Sequence, residues 1–372
     1  MADLMKDSLN LVAVEKIATN LKYAWAAFDA DGFVAAGMDG LDALELKARV
    51  LHLIAVMHAH LPADFIETAD ILMAAGQNWH KADDGDSFSV FAIWPLIDYV
   101  GVHGLEQPEK ALDALEVLTP HFSAEFAIRP FINEHFEVTY KRLNEWVSHE
   151  DEHLRRLVSE GIRPRLPWGL QLKQFIADPV MVVTLLEQLK DDEAEYVRRS
   201  VANNLNDISK DHPELVVNIC KKWLKGAPKN KRKNRDWIAR HATRSLVKQG
   251  YPPVFGLLGY SEDLDIVVEN LRLENEQIKM GEVLKFNFEL NSNKDQKFVL
   301  DFAIHFMKSN GKMAAKMFKL KNINMKQGEK IAIEKQQWFK PISTRKYYAG
   351  QHRLEIFLNG EKYQEVYFLL EV

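Results

Sequence analysis

The chain has 372 residues and a formal net charge of −5, which is long enough for two domains or for one extended repeat protein. Its single cysteine, Cys220, excludes an internal disulfide framework and is typical of a reducing compartment. Neither a secretory leader nor an apolar run near the ~20 residues of a membrane span is present, so we expect a cytoplasmic protein without a membrane partner.

The charge is unevenly distributed along the chain. Residues 1–120 carry 7 basic and 19 acidic side chains, a balance of −12, whereas residues 121–259 carry 23 basic and 18 acidic side chains, a balance of +5. A basic middle region in an acidic protein predicts a local surface for a polyanion.

Up to about residue 258 the apolar residues recur at helical spacing, as in 41–60 and 121–147. A weak repeat runs through this region: HLRRLV (153–158), YVRRSV (196–201) and WIARHA (237–242) share a frame that FAIRPF (126–131) fits more loosely. The matching arginines are Arg129, Arg156, Arg199 and Arg240. The later intervals of 43 and 41 residues are typical of HEAT-type repeats, which stack helix pairs into a solenoid with a concave face. We therefore predict that these arginines point towards one face.

The helix that begins near residue 195 has an unusual polar face. Arg199, Asn203 and Asp207 lie at successive turns opposite the apolar stripe. Asparagine and aspartate are weak helix formers, and an ordinary solvated face would carry Glu, Lys and Gln instead. This face is therefore a candidate binding surface.

From about residue 262 the hydrophobic period changes to two. The segments 282–290 and 298–306 alternate apolar and polar residues, and 352–372 contains two strands around Asn359-Gly360, a strong hairpin signal. The pattern favours an immunoglobulin-like β-sandwich. We predict a multidomain chain: an all-α HEAT-like helical-repeat solenoid over 1–260, followed by an all-β immunoglobulin-like sandwich over 261–372.

Three acids stand near the repeated arginines: Glu125, Glu160 and Asp207. Each is a candidate for charge-based catalysis. Taken singly, each is more often a surface ion pair or a helix-terminal charge.

The loop GIRPRLPWG (161–169) combines Arg163 and Arg165 with prolines that stiffen it and with Trp168. It is either a packed loop between repeats or a rigid loop that presents an indole and two guanidiniums. The basic run over 225–237 is either a solvated loop or a phosphate contact. We find no phosphate loop, nucleophile elbow or zinc motif, and we expect no cofactor and no metal.

Four motifs resemble a known family. SAEFAIRPFI, RRLVSEGIRPRLPWG, YVRRSVANNLNDISKDHPELV and DWIARHATRSLVKQGYPPVFGLLGY are together similar to the DNA alkylation repair glycosylases built from HEAT-like repeats, in the AlkC branch. The resemblance covers about residues 25–260, and some members of that branch also have an immunoglobulin-like C-terminal domain.

The resemblance implies a DNA glycosylase of base excision repair that releases 3-methyladenine and 3-methylcytosine from double-stranded DNA without base flipping. It implies catalytic roles for Glu125, Glu160 and Asp207 around the sugar, and a lesion contact for Trp168. A bacterial monomer of the cytoplasm and nucleoid is expected. The candidate DNA-binding residues are Arg156, Arg163, Arg165, Arg199, Asn203, Arg240 and Arg244.

These residue types suit such a reaction, because an N3-alkylated base is already cationic and leaves without a general acid. Positive charge develops on the sugar, where fixed carboxylates stabilise it. Two other functions stay open: a helical-repeat scaffold whose polar residues serve packing, and a non-enzymatic binder of DNA or another polyanion. The sequence does not rank 3-methyladenine against 3-methylcytosine.

Overall fold

The computed structural model describes residues 5–79, 89–342 and 345–372, and it divides into two compact units, Met1–Asp211 and His212–Val372. The described part of the first unit is helical. Its α-helices are α1 (Leu11–Ala24), α2 (Ala30–Met38), α3 (Leu46–His60), α4 (Phe65–Gln77), α5 (Trp94–His103), α6 (Pro108–Leu118), α7 (Ile128–Glu134), α8 (Phe136–Trp146), α9 (Glu152–Gly161), α10 (Lys173–Ala177), α11 (Val180–Leu189) and α12 (Glu195–Ile208). Short 3-10 helices cover Met5–Ser8, Leu41–Ala43 and Ser89–Ile93.

Several helices of the first unit begin at capping side chains. Asn10, Asp29, Asp64 and Asp151 each accept a hydrogen bond from a backbone N–H in the first turn. Such caps satisfy donors that have no partner inside the helix. They explain why α1, α2, α4 and α9 begin where they do.

Helix α12 packs against α9 and α11 through the apolar stripe that its sequence predicts. Val197, Val201 and Leu205 are buried, as are Leu154 and Leu157 of α9. This packing brings the C-terminal half of α12 beside the end of α9, where the candidate acids lie.

The prediction of an open polar face on α12 needs correction. Asn204, Asn206 and Asp207 are buried, whereas Arg199 is exposed and Asn203 is half-buried. The Asn204 side chain donates 2.8 Å to the backbone carbonyl of Ser159. Part of this face therefore joins α12 to α9, because a buried asparagine needs hydrogen-bond partners.

The second unit begins with helices and ends in two sheets. Its helices are α13 (Pro213–Lys225), α14 (Arg232–Ala242), α15 (Arg244–Gln249) and α16 (Pro253–Leu257). Its strands are β1 (Ile266–Leu273), β2 (Gln277–Lys279), β3 (Val283–Ser292), β4 (Gln296–Met307), β5 (Met313–Met325), β6 (Lys330–Trp338), β7 (Gly350–Leu358) and β8 (Glu361–Glu371). The sheets have the orders β1-β3-β6 and β2-β8-β7-β4-β5, and their pairs are antiparallel except β2 with β8.

The predicted hairpin is confirmed. Leu358 pairs with Glu361, and Asn359 and Gly360 have φ angles of 46° and 80°. Positive φ at both central residues matches the twist of the strands, which is why Asn-Gly is favoured there. The Asn359 side chain also accepts a hydrogen bond of 2.9 Å from the Val299 N–H, so the turn is tied to β4.

The compact units do not divide where the predicted domains do. The secondary structure changes between Leu257 and Ile266, near the predicted boundary at 260/261, whereas the units divide at Asp211 and His212. The physical reason is an apolar cluster in which Val217, Leu246 and Phe255 of the last helices pack with Val299 of β4. A glycosylase domain over 1–260 therefore stays a prediction about function.

None of the helices in the described ranges is long and apolar enough to span a membrane.

Candidate active site

A row of alternating charges runs through the first unit. Arg156 joins Glu125 to Glu160, and Arg163 joins Glu160 to Asp207. The acids come from three places: the segment before α7, the end of α9 and the end of α12. The structure therefore brings all three predicted acids into one ionic network.

Arg156 holds the first acid. Its Nη1 donates 2.6 Å to Glu125 Oε2 and 2.5 Å to Ser123 Oγ, while its Nη2 lies 3.6 Å from Glu160 Oε1. The guanidinium also lies 5.0 Å from the ring centroid of Tyr196, within the range of cation–π attraction. Local partners therefore engage both terminal nitrogens of Arg156.

Glu160 is the centre of the network and is only 4% exposed. Its Oε1 accepts 2.6 Å from Arg163 Nη1, and its Oε2 accepts 2.6 Å from Ser200 Oγ. Burial would raise the pKa of Glu160, but the Arg156 and Arg163 charges and the Ser200 hydroxyl outweigh it and hold the pKa below its usual value. The carboxylate is therefore kept ionised.

The expectation that the loop presents the guanidinium of Arg163 to DNA is wrong, because this guanidinium is not free. The residue is 7% exposed, and its Nε donates 2.7 Å to Asp207 Oδ2 while its Nη1 donates to Glu160. A buried arginine needs charged partners because isolated burial of charge is costly. Its position makes it the link between two acids.

The expectation that Asp207 stands on an open surface is also wrong. Asp207 is 1% exposed, and its Oδ1 accepts 2.8 Å from Lys210 Nζ. Its two oxygens are thus engaged by Arg163 and Lys210. Asp207 lies behind Arg163, while Glu125 and Glu160 face a pocket.

The pocket has a volume of about 280 Å³. Its aromatic side chains are Phe91, Trp94, Phe122, Phe126 and Trp168, and its charged side chains are Glu125, Glu160 and Arg163. The remaining lining residues are Leu166 and Pro167. Aromatic faces beside carboxylates suit a flat cationic group.

Trp168 is the exposed aromatic residue of this pocket. Its side chain is among the exposed large apolar groups at 67%, and its φ of 63° lies in the left-handed region that non-glycine residues rarely adopt. The predicted indole-presenting loop is therefore present. Its conformation is a rare one that the surrounding contacts must maintain.

Arg129 holds the backbone on either side of Trp168 and is not a surface arginine. It is fully buried and donates to three backbone carbonyls, those of Leu170 (2.5 Å), Gly161 (2.6 Å) and Arg163 (2.9 Å). Burial, with the Arg163 charge, lowers the pKa of Arg129 to about 10. The prediction that all four repeated arginines point to one open face is therefore wrong for Arg129.

The other candidate DNA-binding residues are more accessible. Arg165 makes a two-bond pair with Asp211 at 2.9 Å each, and exposed Arg199 pairs with Glu195 at 2.5 Å. In the second unit Arg240 on α14 pairs with Asp236 at 2.7 Å. Arg244 at the start of α15 donates 2.5 Å to the carbonyl of His241.

Two ionisable residues near the pocket, Asp98 and Lys47, were not predicted from the sequence. Asp98 on α5 accepts 2.8 Å from Trp94 Nε1, and its pKa is raised to about 7 by burial. Lys47 in the first turn of α3 donates to the backbone carbonyl of Trp168. The isolated acidic residue in the apolar stretch WPLIDYVGVH could have indicated Asp98 as a candidate site residue. The sequence around Lys47 contains no comparable feature.

Among the described residues, no group of three His, Cys, Asp or Glu side chains could hold a metal ion. The ionic network pairs its carboxylates with arginines and a lysine instead.

Comparison with known proteins identifies the family. The structure of the Pseudomonas fluorescens alkylpurine DNA glycosylase AlkC, bound to DNA containing an abasic site analog, matches all of this chain and all of that one, with 35% identity and a TM-score of 0.87. The uncharacterized protein YhaZ of Bacillus subtilis is 36% identical over 97% of both chains. Residues 267–372 match the family of the YhaZ C-terminal Ig-like domain.

A helical-repeat region followed by an immunoglobulin-like sandwich defines the class of protein, and the predicted fold class is confirmed. The chain belongs to the AlkC branch of the HEAT-like-repeat DNA alkylation repair glycosylases.

Proposed function

We propose that this protein is a DNA glycosylase that releases positively charged N3-alkylated bases, 3-methyladenine and 3-methylcytosine, from double-stranded DNA. One observation supports it above the others: Glu125 and Glu160, held by arginines, line an aromatic pocket beside the exposed Trp168. The 35% identity to a solved alkylpurine DNA glycosylase over the whole chain also supports it.

The chemistry needs no general acid. Alkylation at N3 makes the base cationic, so the base leaves as a neutral molecule when the glycosidic bond breaks. The electrons of that bond go to the base, and the sugar becomes an oxocarbenium ion. Water then adds to the sugar carbon and loses a proton, which a carboxylate can accept.

The acids act on the developing charge of the sugar. Two unit charges 4 Å apart interact by roughly 4 kcal/mol at an effective dielectric of 20. Glu160 is kept ionised by Arg156 and Arg163, so it does not need to reorganise as charge develops. Glu125, held by Arg156, adds a second carboxyl group on the neighbouring part of the pocket wall.

Asp207 has a different role in this proposal. Its buried carboxylate orients Arg163, which in turn orients Glu160, and its negative charge adds to the field from behind. Glu125 and Glu160 are therefore the proposed catalytic residues, and Asp207 is a positioning residue that also supplies charge.

We also propose that the protein contacts the alkylated nucleotide without flipping it out of the duplex, whereas glycosylases in general flip their target. Support comes from Trp168, whose indole stands out from the surface and could contact a nucleotide that stays in the duplex. Arg165, Arg199, Arg240 and Arg244, with Asn203, are the proposed backbone contacts. Phosphate contacts position a protein on DNA without reading sequence.

The proposed setting is the bacterial cytoplasm, where the protein would act as a monomer on nucleoid DNA. Both points remain predictions.

Methylated duplex DNA tests the function directly. The protein is incubated with it under single-turnover conditions, and released bases are identified by mass spectrometry. We expect 3-methyladenine and 3-methylcytosine from the wild type and from Glu152→Gln, which changes an exposed acid on α9. The Glu160→Gln variant should release both bases more slowly than the wild type. Tight DNA binding without any base release would support a non-enzymatic binder instead.

A further inference from the structure

The exposed indole of Trp168 lacks the packing that usually fixes an aromatic side chain. About two thirds of its surface is exposed, and its backbone has a φ of 63°. Left-handed conformations of bulky residues are uncommon and persist only where neighbouring contacts hold them. The direction of the indole therefore depends on what holds the backbone of residue 168.

Lys47 supplies such a contact from a distant part of the chain. Its ammonium donates to the carbonyl of Trp168, 121 residues away in sequence. The same ammonium lies 4.6 Å from the ring centroid of Phe126, which lines the pocket. One side chain thus connects the helix α3, the aromatic wall of the pocket and the loop that carries the indole.

Asp98 is a carboxyl group that interacts electrostatically with both Lys47 and Glu125. Its Oδ2 accepts from Trp94 Nε1, and its Oδ1 is shielded from solvent with no hydrogen-bond partner among the residues that the structure describes. Burial is the largest influence on the pKa of Asp98 and raises it. The hydrogen bond from Trp94 and the charge of Lys47 lower this pKa, and the charge of Glu125 raises it. Lys47 and Asp98 therefore belong to the same electrostatic neighbourhood as the candidate catalytic acid Glu125.

We propose that Lys47 is a positioning residue that holds the Trp168 carbonyl and thereby fixes the indole at the mouth of the pocket. This inference rests on the proposed function for its effect on rate, but its effect on the indole is independent of any activity. Lys47 is exposed, so replacing it does not open the core.

A different role for an exposed lysine near a DNA-facing pocket is a phosphate contact. The two roles predict different results. Loss of a phosphate contact weakens binding to all DNA and lowers the salt slope by about one. Loss of a positioning contact leaves the slope unchanged and acts through Trp168 alone.

The first experiment observes the indole directly. The full-length protein is labelled with fluorotryptophan, and its eight tryptophans are followed by ¹⁹F NMR. Trp168→Phe identifies the resonance of residue 168. We expect Lys47→Met to shift or broaden that resonance, Lys47→Arg to preserve most of it, and Lys141→Met, at an exposed lysine of α8, to leave it unchanged. An unchanged Trp168 resonance in Lys47→Met overturns the proposal.

The second experiment is a double-mutant cycle on base release. Lys47→Met should slow single-turnover release by roughly tenfold, the scale of one lost hydrogen bond to a charged group. In a Trp168→Ala background the same change should have less than about a twofold effect, since coupled residues are not additive. Equal effects in both backgrounds, or a reduced salt slope, would assign Lys47 to phosphate contact. If the wild type releases no base, the proposed function fails while the NMR result still decides the role of Lys47.

Discussion

Arg163 Nη1 donates 2.6 Å to Glu160 Oε1, and both side chains are buried at the end of α9. The pair keeps a carboxylate ionised at the wall of a pocket that also contains Glu125 and an exposed indole. Under the proposed function, this fixed negative charge stabilises the positive charge that develops on the sugar as the base leaves.

The first prediction concerns that charge. Glu160→Gln keeps the shape of the side chain and removes its charge, so single-turnover release of 3-methyladenine should fall by roughly 10- to 1,000-fold, the scale of one preorganised charge interaction. Glu125→Gln should act in the same direction. Affinity for undamaged DNA should hold or improve, because a negative charge near phosphates has gone. Glu152→Gln is the control, and wild-type rates in both active-site variants would refute the assignment.

The second prediction concerns the buried pair of Asp207 and Arg163. Asp207→Asn removes the charge that balances a buried guanidinium, so the free energy of unfolding should fall by roughly 2–4 kcal/mol in urea titrations. Base release should slow as well, because Arg163 loses the partner that orients it. Asp211→Asn is a matched control, since the Asp211–Arg165 pair is partly exposed and its loss should lower the free energy of unfolding far less. Equal small costs for both changes would remove the structural role of Asp207.

The third prediction separates arginines that contact phosphate from those that hold the structure. Arg199→Ala and Arg240→Ala should each lower the slope of DNA affinity against salt by about one. Arg156→Ala should mainly reduce the rate of base release, because its guanidinium is engaged by Glu125 and Glu160. Arg129→Ala should destabilise the protein, since three backbone carbonyls lose their donor. Unchanged slopes in both exposed variants would contradict the proposed backbone contacts.

The fourth prediction concerns the pH dependence of stability. Burial raises the pKa of Asp98 from 3.8 to about 7, so the folded protein keeps a proton that the unfolded chain releases. The free energy of unfolding should therefore decrease as pH rises from about 4 to 7, by about 1.4 kcal/mol for each unit of pKa difference, and change no further above pH 7 from this group.

Asp98→Asn tests this dependence, because the amide stays neutral throughout. Urea unfolding at pH 5 and pH 8 should show the variant gaining stability relative to the wild type at the higher pH. Asp31→Asn, at an exposed position of α2, should show no such gain. If the difference in free energy of unfolding between Asp98→Asn and the wild type does not vary with pH, the raised pKa of Asp98 is contradicted.

The order of the two architectures follows from the sequence alone, because hydrophobic period is a local property. The change from helical to alternating spacing occurs within the segment that separates Leu257 from Ile266, and Asn359-Gly360 specifies its turn through two positive φ angles. The loop GIRPRLPWG likewise shows in the sequence that an indole and two guanidiniums lie close together along the chain. These features depend on neighbours along the chain.

The charges that a ligand can reach depend instead on how the helices pack in three dimensions. Arg163 and Arg165 are two residues apart in the same loop, yet one is buried between Glu160 and Asp207 and the other pairs with a partly exposed aspartate. Asp207 lies 44 residues from Arg163, and Lys47 lies 121 residues from Trp168. Burial and ion pairing depend on helices that pack from distant parts of the chain, so the spacing of residues on one helix could not reveal them.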